Sequence, residues 1–196
     1  RIFNLKRPIV VILFIFLFLI GGYLLLQNQS NKAAIQMIDN INKTLEANFG
    51  DVQVTYDEIR ANVFQRSAIA DRLVLSISGD QIFVIEKIEM SGDMDTFQLI
   101  DLSDLELTLN HNELEFNATA RHLQIEELKL GKIQSFFRDN EDLQVIMSLI
   151  LDEVSIARFE IEDFSLLGKG MDEGLFLNIN GDLAIQNIER GSIGNI

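Results

Sequence analysis

The longest uninterrupted apolar stretch, residues 8–26, constrains the fold of this chain more than any other feature. It reads PIVVILFIFLFLIGGYLLL and carries no charge. A helix rises about 1.5 Å per residue, so about 20 such residues cross a hydrocarbon core of about 30 Å. No small-x-small cleavage site follows the stretch, so the sequence predicts an uncleaved signal anchor that spans a membrane. A helix buried in a protein core is the alternative, although few core helices are this long without one polar residue.

Basic residues beside this stretch predict its orientation. Arg1, Lys6 and Arg7 precede it, whereas only Lys32 lies close behind it. Because positively charged residues tend to stay on the cytoplasmic side, residues 1–7 are predicted to form a cytoplasmic flank, with everything after the span outside. In a bacterium this arrangement is a single-pass inner-membrane protein whose main domain lies in the periplasm.

The residues after the span are predicted to form a juxtamembrane helix over residues 27–50. Ser30 can cap its start, and Gly50 can end it. Its apolar residues share one stripe, which we expect to lie on a folded domain. They are Ile35, Ile38, Ile41, Leu45 and Phe49. Residues 51–196 are then predicted to form an acidic, β-rich extracytoplasmic domain.

Beyond the helix the sequence changes to short runs in which apolar and polar residues alternate, as expected for β-strands. The runs cover residues 52–56, 73–78, 82–91, 104–110, 114–120, 122–130, 155–167 and 175–188. Turn sequences such as Ser78-Gly79-Asp80 and Asn180-Gly181-Asp182 separate strands, and short connections favour an antiparallel meander. The predicted fold class is a single transmembrane helix plus an α+β domain. In that domain a curved, mostly antiparallel β-meander carries the juxtamembrane helix and one further helix packed on the sheet.

One motif recurs in these runs: apolar-x-apolar-x-x-apolar-x-apolar, with a polar pair in the middle. Side chains alternate between the two faces of a sheet, so the second apolar pair would turn to the opposite face. A bulge or bend at the polar pair would keep both apolar pairs on one face and curl the sheet. The copies are Phe83/Ile85/Ile88/Met90, Ile100/Leu102/Leu105/Leu107, Leu123/Ile125/Leu128/Leu130 and Phe159/Ile161/Phe164/Leu166, with weaker ones at Ala68/Ala70/Leu73/Leu75 and Leu183/Ile185/Ile188. We therefore expect a curved sheet with a long apolar inner face, although an amphipathic meander can produce this spacing by chance.

Residues 133–153 depart from the β pattern, because their apolar residues fall on one broad helical stripe. Asn140 can cap the start of the well-formed part. The segment LQVIMSLIL at 143–151 is apolar on nearly all sides, which predicts a helix buried against the sheet. Three roles stay open: closing the core, forming a lid over an apolar groove, or contacting another subunit or the membrane. The possible lid residues are Leu143, Ile146, Met147 and Ile150.

The charged residues form no recognisable catalytic, cofactor or metal site. A net charge of −14 repels nucleic acid, so a nucleic-acid partner is disfavoured. We interpret His111 and His122 as ordinary strand residues. Asp93 and Asp95 begin like a calcium loop, but the glycine and the terminal glutamate of such a loop are missing. The sequence therefore predicts a protein that is not an enzyme and holds no cofactor.

Several segments together resemble the AsmA-like proteins of Gram-negative bacteria. Besides the basic start, the apolar stretch and the helix after it, they are Val54-Thr-Tyr56-Asp-Glu-Ile59, Asn62-Val-Phe64 and curled repeats such as HLQIEELKL. The resemblance implies an inner-membrane-anchored periplasmic protein whose β-sheet curls into an apolar gutter, in a family linked to lipid traffic and outer-membrane homeostasis. It supplies no catalytic residues. Members that bridge two membranes are far longer than this chain.

The predicted function is a non-enzymatic, membrane-anchored periplasmic protein that holds or passes lipid along a curved apolar sheet. Its partner would be membrane lipid. The possible lipid-facing residues are Phe83, Ile85, Ile88, Ile125, Leu128, Ile161 and Phe164. The alternative is an accessory or scaffold subunit that docks on an integral membrane protein complex. Lipid found with the isolated domain would favour the first function, and a stoichiometric protein partner would favour the second.

Overall fold

A computed structural model describes residues 6–28, 30–62, 64–93, 96–111, 114–129, 155–170, 174–189 and 192–195. Within these ranges two helices come first and nine strands follow. The helices are α1 (Lys6–Asn28) and α2 (Asn31–Phe49), and the strands are β1 (Val52–Thr55), β2 (Glu58–Asn62), β3 (Ser67–Ile77), β4 (Asp80–Gly92), β5 (Thr96–His111), β6 (Leu114–Lys129), β7 (Ser155–Gly170), β8 (Gly174–Glu189) and β9 (Ser192–Asn195).

The strands form one antiparallel sheet of nine strands. From β3 to β9 each strand pairs with the next along the chain, while β1 and β2 both pair with β3. The predicted short runs are wrong in length: those at 114–120 and 122–130 are two halves of β6. Asn180-Gly181-Asp182, predicted as a turn, lies inside β8. In β8 the ladder continues past these polar residues because β7 pairs with Asn180 and Gly181 and holds their backbone groups in hydrogen bonds.

The polar pair of the repeated motif carries the bend that the spacing predicts. In five copies its second residue has a positive φ, which residues other than glycine adopt rarely. These residues are Arg72, Asp104, Glu127, Asp163 and Asn187, with φ between 48° and 55°. In β4 the polar pair Glu86-Lys87 has no positive φ, yet both apolar pairs beside it are buried and the polar pair is exposed. The predicted bend is therefore confirmed, and the two apolar pairs share one face.

The bends form two lines across the sheet. In the first line a positive φ occurs in alternate strands, at Arg72 in β3, Asp104 in β5 and Asp163 in β7. In the second line it occurs at Glu127 in β6 and Asn187 in β8. Because a bulge needs its unusual conformation in only one of two paired strands, β4 can bend between β3 and β5 with ordinary φ values.

Helix α2 lies within the predicted range 27–50, and the two residues predicted to cap it flank its ends. The Ser30 side chain accepts a hydrogen bond from the backbone N–H of Ala33 at 3.1 Å, which caps the start of the helix. At the other end the N–H of Gly50 donates to the carbonyl of Glu46 at 2.9 Å, and Gly50 has a φ of 84°. Both predicted caps are therefore confirmed.

Helix α2 packs one stripe of side chains on the fold, as the sequence predicts, but the stripe is rotated by one residue at its start. Its buried residues are Ala34, Ile38, Ile41 and Leu45. Ile35, which was predicted to belong to the stripe, is 43% exposed. Asn42 fixes the helix to β1, because its side-chain amide donates to the carbonyl of Val54 at 2.9 Å and accepts from the N–H of Val54 at 2.6 Å.

The predicted transmembrane helix is wrong, and so is the fold class built on it. Among the described residues, no helix combines the length and the apolar character needed to cross a membrane. Helix α1 packs on α2 and on β3, β4 and β5, and it buries Val10, Val11, Phe14 and Phe18. An apolar sheet face accepts apolar side chains as readily as lipid does, so the core-helix alternative describes α1 better. The fold is an antiparallel sheet with two N-terminal helices on one part of it.

Close contacts hold α1 in this position. The Arg7 guanidinium lies 3.0 Å from a carboxylate oxygen of Asp80, at the start of β4. A Cβ on Gly22 would lie 3.0 Å from the sulfur of Met90, which is tighter than most such contacts. A Cβ on Gly21 would clash with the Met37 side chain of α2. The two glycines therefore let α1 approach both the sheet and α2.

One predicted helix, over residues 133–153, lies outside the described residues. The possible lid residues Leu143, Ile146, Met147 and Ile150 belong to it. In the chain this segment connects β6 to β7, which are neighbours in the sheet.

Candidate functional site

One face of the sheet carries rows of apolar side chains that cross the strands from β3 to β8. We call it the apolar face. On one side of the first line of bends, the strand register places Leu75, Phe83, Leu107, Ala118, Leu166 and Ile179 in one row. On the other side it places Ala70, Ile88, Leu102, Leu123, Ile161 and Leu183 in a second row, and Ala68, Met90, Ile100, Ile125, Phe159 and Ile185 in a third. Cross-strand neighbours of this kind stabilise a sheet through side-chain contact.

Over β3, β4 and β5 the apolar face is a closed hydrophobic core. The Phe14 ring of α1 meets the Phe83 ring edge-on, with centroids 6.2 Å apart. Ile85, Ile88 and Phe97 are each no more than 4% exposed. Fully burying a side chain of this size contributes roughly 1.5–3 kcal/mol relative to leaving it in water. The chain's own helices cover this part of the apolar face, which we call the closed section.

Over β6, β7 and β8 the same rows continue without that cover. In the described part of the chain, the main contacts of α1 and α2 with the sheet are with β1 to β5, although Ile125 of β6 and Ile156 of β7 still pack against the edge of that core. We call the rows beyond it the open section, and its residues are Leu123, Ile125, Phe159, Ile161, Phe164, Leu166, Ile179, Leu183 and Ile185. Most of them are half-buried, while Ile179 and Leu183 are 48% and 40% exposed. Contiguous exposed apolar surface of this kind commonly marks a binding site.

The possible lipid-facing residues fall into two groups. Those with buried side chains are Phe83, Ile85, Ile88 and Leu128. Those in the open section are Ile125, Ile161 and Phe164, which are all half-buried. The copies of the repeated motif also include the other residues of the open section except Ile179. The alternation of β8 could have identified Ile179, because Leu177 and Ile179 are two residues apart and therefore share a face.

The opposite face of the sheet is polar and rich in carboxylates. His122 Nε2 lies 3.0 Å from Asp101, and this pair is part-buried. Arg121 contacts Asp163 at 2.8 Å and Glu162 at 3.2 Å, so its charge is balanced by two carboxylates. These five residues come from the three neighbouring strands β5, β6 and β7, and they lie at or beside the first line of bends.

An open pocket of about 440 Å³ is lined by Arg121 and by residues of β7 and β8, four of which are acidic. Asp182 belongs to its lining and accepts a hydrogen bond from the backbone N–H of Asp163 at 2.7 Å. Within the described ranges, no cluster of three or more histidine, aspartate or glutamate side chains is arranged to hold a metal ion. The pocket therefore offers an acidic surface but no built cation site.

Asp93, at the start of the sequence that only partly resembles a calcium loop, is engaged in hydrogen bonds with other side chains. Asp93 accepts hydrogen bonds from Arg66 at 2.7 Å and from Gln98 at 3.0 Å, so both carboxylate oxygens already have partners. Asp95 lies outside the described residues. His111 ends β5, opposite Leu114 of β6.

Arg158 is the one cation of β7 that lies among several acids of the polar face. It donates a hydrogen bond to Glu160 and is paired in the sheet with Glu126. The hydrogen bond to Glu160 and the charge of that carboxylate raise the pKa of Arg158 above its usual value. Arg158 therefore stays charged and offsets part of the repulsion between these acids.

The chain matches no protein-family model, and no curated protein matches it.

Proposed function

We propose that the open section of the apolar face binds the acyl chains of lipid. The observation that carries this proposal is the continuity of the apolar rows. They cross the strands from β3 to β8, whereas the described helices cover them mainly as far as β5. Each row begins with side chains that are buried in the closed section and continues with side chains that are mostly half-buried in the open section.

The chemistry of these rows suits an acyl chain. In the open section each row consists of aliphatic and aromatic side chains, which offer no hydrogen-bond donor or acceptor. An acyl chain makes no hydrogen bonds, so it can lie there without leaving a polar group unsatisfied. Each methylene removed from water contributes about 0.8 kcal/mol, so a few of them already give a useful affinity.

The role that follows is to hold or pass lipid, without chemistry on it. We place this role on the periplasmic side of a bacterial inner membrane, as the AsmA-like resemblance implies. The lipid would come from a membrane close by. The acidic polar face lies on the other side of the sheet and would keep anionic headgroups away from itself.

Lipid extraction from the purified full chain tests the proposal. Organic extraction followed by mass spectrometry should recover phospholipid from the wild-type protein. Phe164→Asp and Ile161→Asp should each reduce the lipid recovered at least tenfold, because a carboxylate in the open section must keep its water. Thr119→Asp is the matched control, since Thr119 is exposed in β6 on the polar face, and it should leave the lipid content unchanged.

Two results would overturn the proposal. One is a wild-type protein that carries no lipid after expression and binds none from vesicles. The other is equal lipid recovery from Phe164→Asp, Ile161→Asp and Thr119→Asp. A stoichiometric protein partner found in place of lipid would favour the alternative of an accessory subunit.

A further inference from the structure

Helix α1 turns an apolar side away from the rest of the fold. Its inner side, which includes Phe14 and Phe18, is buried in the core. On the other side of the helix Ile9, Ile12 and Ile15 are 49%, 47% and 42% exposed. Residues three apart lie next to each other on a helix surface, so these three isoleucines form one continuous patch. We call this patch the outer strip.

The outer side of α2 is different in kind. Its exposed residues include Lys32, Gln36, Asp39 and Lys43, as expected for a helix whose outer side faces water. In α1, by contrast, residues 8–20 include no polar side chain at all. The exposure of the outer strip is therefore a property of α1 and not of every helix on this sheet.

The composition of α1 favours hydrocarbon over a protein surface as the material that covers the outer strip. A protein interface carries about one hydrogen bond per 100–200 Å² and a polar rim. Residues 8–20 offer no side chain that can donate or accept such a bond, and a helix satisfies its own backbone groups. Acyl chains form no hydrogen bonds, so they cover such a surface without leaving a polar group unsatisfied.

The distribution of charge is complementary to anionic headgroups. All 30 acidic residues of the chain come after Ile38, whereas four of its 16 basic residues come before it. Anionic lipid attracts basic segments and repels acidic ones. Asp80 is the acidic residue in contact with α1, and Arg7 lies 3.0 Å from it and balances its charge. Helix α1 can therefore approach anionic headgroups, although the net charge of the whole chain is −14.

We propose that the outer strip of α1 docks on the surface of a lipid bilayer that carries anionic headgroups. The helix axis lies along the surface, as in interfacial helices, which bury their apolar side about 5–10 Å deep. The outer strip reaches the upper part of the acyl chains, and the inner side of α1 keeps its place on the sheet. The helix does not cross the bilayer. This inference goes beyond the acyl-chain proposal and does not rest on it, because the outer strip and the open section belong to different elements.

Flotation of the full chain with vesicles tests the docking. Vesicles of equal parts phosphatidylcholine and phosphatidylglycerol should carry the wild-type chain upward in a density gradient, and phosphatidylcholine alone should bind it more weakly. Ile12→Asp should weaken binding at least about tenfold, because a carboxylate in the outer strip stays hydrated and is repelled by the headgroups. Leu114→Asp is the matched control, since Leu114 is 39% exposed in β6, and its affinity should equal that of the wild type.

Two further measurements separate this proposal from its alternatives. Phe164→Asp, which tests the open section, should still float with the vesicles, whereas Ile12→Asp should still yield extracted phospholipid. Failure of one proposal is therefore distinguishable from failure of the other. An alkaline carbonate wash should release the wild-type chain from the vesicles, because a docked helix does not cross the bilayer.

Several results would overturn the docking. A wild-type chain that does not float with the mixed vesicles is one, and equal affinities of Ile12→Asp and Leu114→Asp are another. Loss of flotation in Phe164→Asp would place vesicle binding in the open section instead of the outer strip. A chain that resists the carbonate wash would contradict docking on the surface, and equal binding to phosphatidylcholine alone would overturn the need for anionic headgroups.

Discussion

At the bends, single residues adopt backbone conformations that raise the conformational energy of the sheet. A residue other than glycine in the left-handed region costs roughly 1–2 kcal/mol, and asparagine and aspartate tolerate it best. Asp104, Asp163 and Asn187 follow this preference, whereas Arg72 and Glu127 do not. The bends persist because each one keeps two apolar pairs on the same face of the sheet. Without the bend, one apolar pair would turn to the opposite face of the sheet. The free energy lost by exposing that pair would exceed the strain energy of the positive φ.

Replacing Glu127 by glycine tests this account of strain. Glycine adopts a positive φ without a steric penalty, so Glu127→Gly should raise the free energy of unfolding by about 0.5–1 kcal/mol. Glu106→Gly is the matched control, because Glu106 is exposed in β5 with an ordinary φ, and it should lower the free energy of unfolding by about 1 kcal/mol. Urea denaturation measures both. Equal destabilisation by the two changes would contradict a strained Glu127.

Two apolar residues of the same motif should respond differently to a charge. Leu128 is 3% exposed, whereas Phe164 is half-buried in the open section. Leu128→Asp should lower the free energy of unfolding by several kcal/mol and unfold the domain, because it buries an unpaired carboxylate. Phe164→Asp should leave a cooperative unfolding transition, because the carboxylate can reach water. Thermal unfolding followed by circular dichroism checks both, and unfolding of both variants at room temperature would contradict an open section.

At the scale of elements, some features could be predicted from sequence because they depend on local physics. The caps of α2 at Ser30 and Gly50 and the bend at each polar pair follow from residues within a few positions of one another. The environment of α1 could not be predicted, because lipid and an apolar sheet face favour the same side chains. The division of the apolar face into a closed and an open section depends on where α1 packs, so the motif in β4 and the motif in β7 look alike in sequence and differ in burial.

Because α1 packs on the sheet, we expect its buried and exposed side chains to differ in their contribution to the free energy of unfolding. Phe14 is 2% exposed and contacts Phe83, so Phe14→Ala should lower the free energy of unfolding of the domain by roughly 3–5 kcal/mol. Ile15, one residue further along α1, is 42% exposed. Ile15→Ala should therefore cost less than about 1 kcal/mol. Urea denaturation of the full chain measures the two, and equal effects would show that α1 does not use this side against the sheet.

The whole molecule is built asymmetrically. In the described ranges, the buried hydrophobic residues lie in the two helices and in β1 to β5, with Ala120 and Leu128 of β6 as the two exceptions. The strands beyond β6 are held mainly by their ladder of backbone hydrogen bonds and by half-buried side chains. A sheet with one covered half and one uncovered half is expected to open locally at the uncovered half, because local stability follows the burial of apolar contacts.

Hydrogen exchange measured by mass spectrometry tests this gradient directly. The amides of β7 and β8 should exchange at least about tenfold faster than those of β4, which corresponds to about 1.4 kcal/mol of opening free energy. Phospholipid vesicles should slow exchange in β7 and β8 if acyl chains occupy the open section. The vesicles should not change β4, which lies in the closed section and serves as the internal control. Uniform exchange from β4 to β8 would contradict the asymmetry, because it would mean that the uncovered half is as stable as the covered one.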